Sequence, residues 1–560
     1  MSERRSVPSR SVGLATVLRT LVHLRPGQAL AQLRHALFGL RTPRRFSGTP
    51  PTLVMDRPAT EFLSPPAHVK RLTTTRIEML GTAFELGEPI AWQSDLGGPL
   101  FAYHLHQHEV LRLAEFSPRA RAEFLRDWIR HHPAGVGWDP HPISLRLLCW
   151  GKLLATPGLL GNDADLRQEM MRSMASQAET LRHGLEDRLQ ANHLLSNLIA
   201  LVSVGLLFKG PASAVWRSSS EALVRQLDCQ IRPDGGHEER SPMYHALLLE
   251  NLLDLLNLCR SGFASVPAEL EAELSEVLSR MLSALEVMTH PDGRISLFGD
   301  SAFDVAASPE SLRGYAARLG ISPPLSSGSR HLPQTGYLRL QAADFTLIAS
   351  VAGPSPVHQP GHAHCDALAF ELSAGGHRLV TDTGLFEYRP GRRRDLARRT
   401  SSHSTLVFDG AEQAEIWSAH RVGGRPIVGL TAWDEKGSAE AICRGWSKAA
   451  PLHRRFFSVA DRIVSILDRV EGVCREIRFC LPIDPAWHVE LASGRAQATR
   501  DETASAVEIE LADRFEWTLE RAAYYPTFGR EIERFVLVGL AEGSDSEDWG
   551  EVTTRFRWLA

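Results

Sequence analysis

The feature that most constrains this chain is a change of hydrophobic period near residue 330. Before it, LLCWGKLLA, HLLSNLIALVSVGLLF, ALLLENLLDLLNL and LEAELSEVLSRMLSALEVM place apolar residues three and four apart, the spacing of amphipathic helices. Gly and Pro punctuate the gaps at Pro157-Gly158, Gly210-Pro211, Pro233-Asp234-Gly235 and Pro291-Asp292-Gly293. After it, GYLRL, FTLIASV, ALAFEL, HRLVTD, STLVFD, FFSVAD, RIVSILDRV, IRFCLP and RFVLVGL alternate β-branched or aromatic residues with polar ones, which predicts short strands and an antiparallel β-sandwich. The segment SPPLSSGSRHLPQ, Ser322 to Gln334, is a linker by composition. The expected organisation is an N-terminal helix and arm over 1–72, a domain of paired helices over 73–325, and a β-domain over 335–560. A chain of 560 residues is too long for one ordinary core, which agrees with several domains.

Composition narrows the function classes. Lys+Arg 62 against Asp+Glu 66 gives a net charge of −4, which argues against a strongly basic nucleic-acid surface. Seven cysteines, from Cys149 to Cys480, include no CxxC pair, so neither a disulfide framework nor a zinc ribbon is indicated. No run of about 18 apolar residues is present, so no membrane-spanning helix is expected. Arg4, Arg5 and Arg10 precede SVGLATVLRTLVHLRP. There Arg19 and His23 interrupt what would be the apolar core of a signal peptide, so no convincing export signal is read and the compartment stays open between cytoplasm and periplasm.

The chemistry concentrates in GHAHCDALAFELSAGGHRLVTDTGLFEY, Gly361 to Tyr388. His362 and His364 stand at the start of an expected β-hairpin, Asp382 on its returning strand, and His403 follows in SSHSTLVFDG. Residues two apart on a strand share a face. Three imidazoles and a carboxylate could therefore form a metal site, an acid/base site, or both; the alternative is three unrelated surface histidines. Cys365 would point away from His364 and is left out.

These motifs, with WDPHPISLRLLCW, ANHLLSNLIAL and DGGHEERSPMYHALLLENLLDL upstream, resemble the heparinase II/III-like polysaccharide lyases from about Trp92 to Trp417. The resemblance implies an incomplete α/α toroid followed by an antiparallel β-sandwich, with the active cleft between them. It also implies β-elimination on a uronic-acid glycan: a base removes the C5 proton, an acid protonates the leaving O4, and donors neutralise the carboxylate.

Site residues follow from the matching motifs. Asn192 is assigned to carboxylate neutralisation and His193 to a supporting or base role, although Asn192 could equally cap its helix. Tyr244 matches the family's acid; without the family a packed tyrosine is the default. Glu239 and Arg240 are expected to orient Tyr244 and contribute to substrate binding, and His362 to serve as base or carboxylate contact. His364, Asp382 and His403 match the family's metal ligands. Two imidazoles and a carboxylate suit Zn²⁺, in a structural role that fixes His362 through a shared strand. Asp366 is an alternative acid or a partner that supports the site from behind, and no organic cofactor is expected.

Relatives commonly read His-Asn-Thr where this chain has His403-Ser404-Thr405. Ser404 could keep a short hydrogen bond but not the amide. The run RPGRRRDLARR, Arg389 to Arg399, reads as a solvated loop or as an arginine clamp for carboxylate or sulfate, with Arg399 as the substrate contact. His104, His106 and His108 read as a polar face or cleft wall. Trp92, Trp138, Trp150 and Tyr103 are core by default or sugar platforms. The expected partner is an acidic polysaccharide or oligosaccharide. The rival readings are a non-catalytic glycan-binding protein of exopolysaccharide metabolism and a metal-dependent glycan hydrolase.

Overall fold

The computed structural model describes residues 13–38, 43–49, 51–53, 59–94, 96, 98–261, 268–323, 328–542 and 548–559. Two N-terminal helices, α1 (Leu14–Leu21) and α2 (Pro26–Phe38), precede an extended arm. The helical domain follows with α3 (Gly98–Gln107), α4 (Pro118–His131), α5 (Pro140–Ala155), α6 (Ala164–His183) and α7 (Ala191–Leu207). It continues with α8 (Pro211–Arg217), α9 (Ser220–Gln230), α10 (Pro242–Ser261), α11 (Ala268–Val287) and α12 (Pro309–Arg318). They form an open α/α toroid. α5 and α10 flank α7, and α7 and α10 are buried on almost every side, as expected of helices that are apolar all round. Local signals set the starts: Ser117 accepts the Ala120 N–H and Pro118 opens α4, and Asp163 caps α6 through the Leu166 N–H.

One expectation fails here. Residues 73–85, read as the beginning of the helical repeats, instead belong to a small antiparallel sheet whose core is the hairpin Arg76–Met79 with Thr82–Glu85. Ile77, Met79 and Phe84 alternate inward. The turn Leu80-Gly81 takes positive φ at both residues, 51° and 69°, the conformation a two-residue hairpin turn requires.

Beyond the linker all pairing within the named sheets is antiparallel. A five-stranded sheet runs from His377–Val380 across to Arg330–Leu332, and a four-stranded sheet from Leu406–Phe408 across to Glu516–Tyr524. Both pack against an eight-stranded sheet that begins at Ile427–Trp433. One core joins the three, with Leu347, Phe370, Leu406, Phe479, Phe457 and Phe556 among its members. This is the sandwich.

The two domains are bolted together. Ala284 and Val287 of α11, with Met288 just beyond it, share a core with Tyr337 and Ile348 of the five-stranded sheet and with Ala369 beside its strand Phe370–Ala374. Arg240, with a left-handed φ of 54°, donates to the carbonyls of Thr335, Gly336, Ala352 and Gly353 and to Ser350 Oγ, while its own carbonyl accepts the Tyr337 hydroxyl at 2.7 Å. The N-terminal helices span the same junction. Arg19 of α1 pairs with Glu415, and the Trp417 indole donates to Thr20. Arg34 of α2 pairs with Asp187, and Arg25 donates to Gln190.

Candidate active site

The site is organised around a residue absent from the sequence-based list, Asp300. It lies between α11 and α12, after Gly299, whose φ is +58° and whose added Cβ would meet the His362 carbonyl at 2.9 Å. That close approach lets the Asp300 N–H donate to the same carbonyl at 3.0 Å. Asp300 Oδ2 accepts from His362 Nδ1 at 2.8 Å, and Oδ1 accepts from His364 Nε2 at 2.9 Å. The Arg394 guanidinium grips both oxygens. Burial alone would raise the Asp300 pKa. The Arg394 charge and the two histidine hydrogen bonds outweigh it and hold the carboxyl well below the usual range. An ionised Asp300 only accepts, so the protons sit on His362 Nδ1 and His364 Nε2. The neutral form of each ring therefore carries its lone pair on the far nitrogen, Nε2 of His362 and Nδ1 of His364.

His362 and His364 do not share a strand face. Residues 361–368 are irregular and the strand begins at Phe370. The histidines converge because both reach Asp300. Cys365 points away, into a small cluster with Ala414 and Val422.

Tyr244, in the first turn of α10, stacks on the His362 ring at 4.0 Å with 28° between planes. Its hydroxyl lies 2.9 Å from that of Tyr388. Burial raises both phenols far above their ordinary pKa, so both hold their protons. Asn192, Tyr244 and Tyr388 line one cavity of about 150 Å³, together with Tyr103, His104 and His141 on the toroid side.

Asn192 is not a cap, because α7 begins one residue earlier, at Ala191. The chain enters α7 through two left-handed residues, Gln190 at φ 59° and Ala191 at φ 52°. Such geometry costs about 1 kcal/mol or more per residue and persists where the surroundings impose it. Here it aims Asn192 into the cleft while its N–H donates to Glu239 at 3.3 Å. His193 Nδ1 meets Glu186 at 2.9 Å, and its ring stacks on His141 at 4.2 Å. Burial would lower His193, but the Glu186 charge and hydrogen bond exceed that effect and the net pKa is raised. Burial lowers His141 to about 3, so it stays neutral.

Glu239 is buried beneath this floor, with one oxygen 3.8 Å from His362 Nε2. It supports the cleft from below. Arg240 is wholly engaged in the domain junction described above, so its side chain is committed to bracing the cleft walls. Of the arginine run, Arg394 and Arg398 turn inward, whereas Arg399 is half-exposed, 4.0 Å from Glu412. The arginine that reaches the centre is Arg394, through Asp300. Asp366 accepts the Gly299 N–H at 3.2 Å and thereby holds the Asp300 loop. Trp92 and Trp150 are core. The His106 and His108 rings accept from the Trp128 and Trp150 indoles.

His364, Asp382 and His403 bring donor atoms within 4.8 Å of one another. His403 Nδ1 is 2.7 Å from Asp382 Oδ2. Among the described residues, His364 Nδ1 and His403 Nε2 are buried without hydrogen-bond partners. Carboxylates fix the opposite nitrogen of each ring, the arrangement that orients metal-binding histidines, so the donor set fits a metal ion. Ser404 donates to the Phe370 carbonyl and accepts its N–H. The short hydrogen bonds that a serine could keep are therefore made to backbone. His141, Glu186 and His193 also gather donors within 4.8 Å. Their two imidazoles are stacked within 22° of parallel, so in-plane lone pairs do not converge, and the group reads as an ion pair with a stacked neutral ring.

The toroid-plus-sandwich architecture with its cleft at the junction is that of polysaccharide lyases. A solved heparinase III superposes with a TM-score of 0.61 over 85% of this chain and 82% of its own, at 17% identity. Residues 124–318 match the heparinase II/III N-terminus and residues 324–553 the heparinase II/III-like C-terminal domain. The chain belongs to the heparinase II/III-like polysaccharide lyase family. Among curated relatives it is 27% identical to the FtsZ-localized protein C of Caulobacter vibrioides over 384 residues, 66% of this chain and 61% of that protein. It is 24% identical to a heparin-sulfate lyase of Bacteroides stercoris over 311 residues, 50% of this chain and 44% of that protein. The chain thus spans less than two thirds of the length of either relative.

Proposed function

We propose that the protein cleaves a uronate-containing acidic glycan by β-elimination. The observation that carries this reading is the convergence of Asn192, Tyr244 and Tyr388 on one cavity, with Tyr244 stacked on a histidine whose far nitrogen is held by Asp300. His362 Nε2 takes the C5 proton. The C4–O4 bond breaks as the C4=C5 double bond forms, and the Tyr244 phenol protonates the departing oxygen. Its hydrogen bond to Tyr388 steadies the phenolate left behind, and proton return from His362 through solvent restores both groups. The Asn192 amide and the His193 imidazolium stabilise the charge that spreads into the uronate carboxylate.

A Zn²⁺ held by His364, Asp382 and His403 would supply a structural tie, since elimination needs no activated water. Through Asp300 that tie would extend to His362. The experiment is ultraviolet detection of unsaturated uronate from a panel of uronate polymers, with mass spectrometry of the products. Unsaturated ends support the reading. Cleavage without unsaturation replaces it with hydrolysis.

A second reading rests on the relative named for localization with FtsZ, which is more similar in sequence than the named lyase. In it the cleft binds a glycan without cutting it. Binding that is unchanged in Tyr244→Phe, with no product from either protein, would favour that role.

A further inference from the structure

α1 and α2 are built inside out. A surface helix normally buries its apolar stripe and exposes its polar face. In α1 the polar edge is the anchored one: Thr16 and Arg19 hold Glu415, and Thr20 receives the Trp417 indole. The residues at Leu14, Leu18, Leu21 and Val22, spaced as one helical face, are 75%, 53%, 50% and 75% exposed. α2 repeats the pattern. Gln28 and Ala31 are buried and Gln32 donates to the Arg188 carbonyl, while Leu30, Leu33 and Leu37 stand 68%, 57% and 68% exposed. Polar contacts on the inner side fix both helices, so the leucine stripes face outward.

The helices themselves carry charge of one sign, of which Arg19 and Arg34 are paired with Glu415 and Asp187 of the body. Residues 13–49 contain six arginines and neither Asp nor Glu, in a chain whose net charge is −4. Arg44 and Arg45 are exposed just beyond α2. Helices of 8 and 13 residues are too short to cross a bilayer, which takes about 20. Among the described residues no helix is long and apolar enough to do so. Short helices with an exposed leucine face are suited to lie in the interface, with the apolar side sunk among acyl chains and the exposed Arg44 and Arg45 guanidiniums on anionic headgroups.

We infer that α1 and α2 form a docking surface for an anionic lipid bilayer, which holds the protein on the membrane through residues 14–37. The test is flotation of the full chain with vesicles of phosphatidylglycerol and phosphatidylcholine, against vesicles of phosphatidylcholine alone, beside the double variant Leu18→Glu/Leu33→Glu. Both positions are exposed, so unchanged circular dichroism and thermal unfolding certify the fold of the variant. The expected result is flotation with the anionic vesicles, at least tenfold weaker with neutral vesicles or in high salt, and at least tenfold weaker for the variant. Absence of flotation, or equal flotation of the variant, overturns the inference. So does a self-association that the variant abolishes in a protein that ignores vesicles, since the stripes would then be an interface between copies.

Discussion

His362 Nδ1 lies 2.8 Å from Asp300 Oδ2, a contact between residues 62 positions apart that sets the tautomer of the candidate base. The same carboxylate holds His364 and Arg394, so one buried anion links the cleft, the candidate metal ligands and the arginine run. Asp300→Asn keeps the shape but removes the charge, leaving the fully buried Arg394 guanidinium uncompensated. Breaking a buried pair in this way costs about 3–5 kcal/mol. Urea unfolding should show a loss of that order, with turnover reduced further than stability alone explains.

Tyr244→Phe should lower kcat by roughly 10²–10⁴, the range of a lost general acid, with unfolding temperature little changed. Tyr388→Phe removes a partner of the acid rather than the acid, and should cost about tenfold or less. Single-turnover assays on the same uronate polymer separate the two. Undiminished turnover in Tyr244→Phe would remove the acid assignment.

The Glu186–His193 pair gives a pH signature. His193 has a raised folded pKa, so its contribution to stability is complete below about 6.5, its ordinary value, and is lost as pH rises through the raised one. Its hold on a substrate carboxylate goes with it, so KM should climb on the alkaline side. Glu186 is held at about 2 by His193, against the opposing effect of burial. Its contribution is present above about 4.3 and lost as pH falls towards 2. Glu186→Gln should flatten both limbs in unfolding midpoints measured against pH.

Metal analysis of protein purified without chelator should find about one zinc per chain, and His403→Ala should abolish it. Chelation should lower the unfolding temperature, and readdition of zinc should restore it. Full stability and activity in metal-free protein would leave the histidine pair a purely hydrogen-bonded structure.

Arg240→Lys should behave almost like Arg240→Ala. A single ammonium cannot span the carbonyls of Thr335, Gly336, Ala352 and Gly353 that the planar guanidinium reaches. Both variants should lose several kcal/mol by urea unfolding, because buried carbonyls are left unpaired, at about 1–3 kcal/mol for each.

The sequence by itself determined the division into paired helices followed by strands, because hydrophobic period is a local property: ALLLENLLDLLNL is spaced to bury a helix face and FTLIASV a strand, whereas the curving of the helix pairs into a toroid followed from the family resemblance. Motifs a few residues long, through their resemblance to the family, also named Asn192, Tyr244, His362 and the metal-type set as candidates. The hairpin over 76–85 has a local signal too, since Ile77 and Met79 alternate before Leu80-Gly81, but a strand pair this short is outweighed by the longer helical pattern that follows. The tertiary structure decided what unites the site. Asp300 stands in an SLFGDS segment without a motif, Arg394 inside a run that reads as a solvated loop or a substrate clamp, and Tyr388 at the end of a strand motif; none of these readings points to a buried partner. They matter because folding removes water from a carboxylate and brings two imidazoles and a guanidinium to it from 62, 64 and 94 residues away. Hydrophobic pattern is written along the chain, whereas the partners of a buried charge are settled only when the domains close on one another.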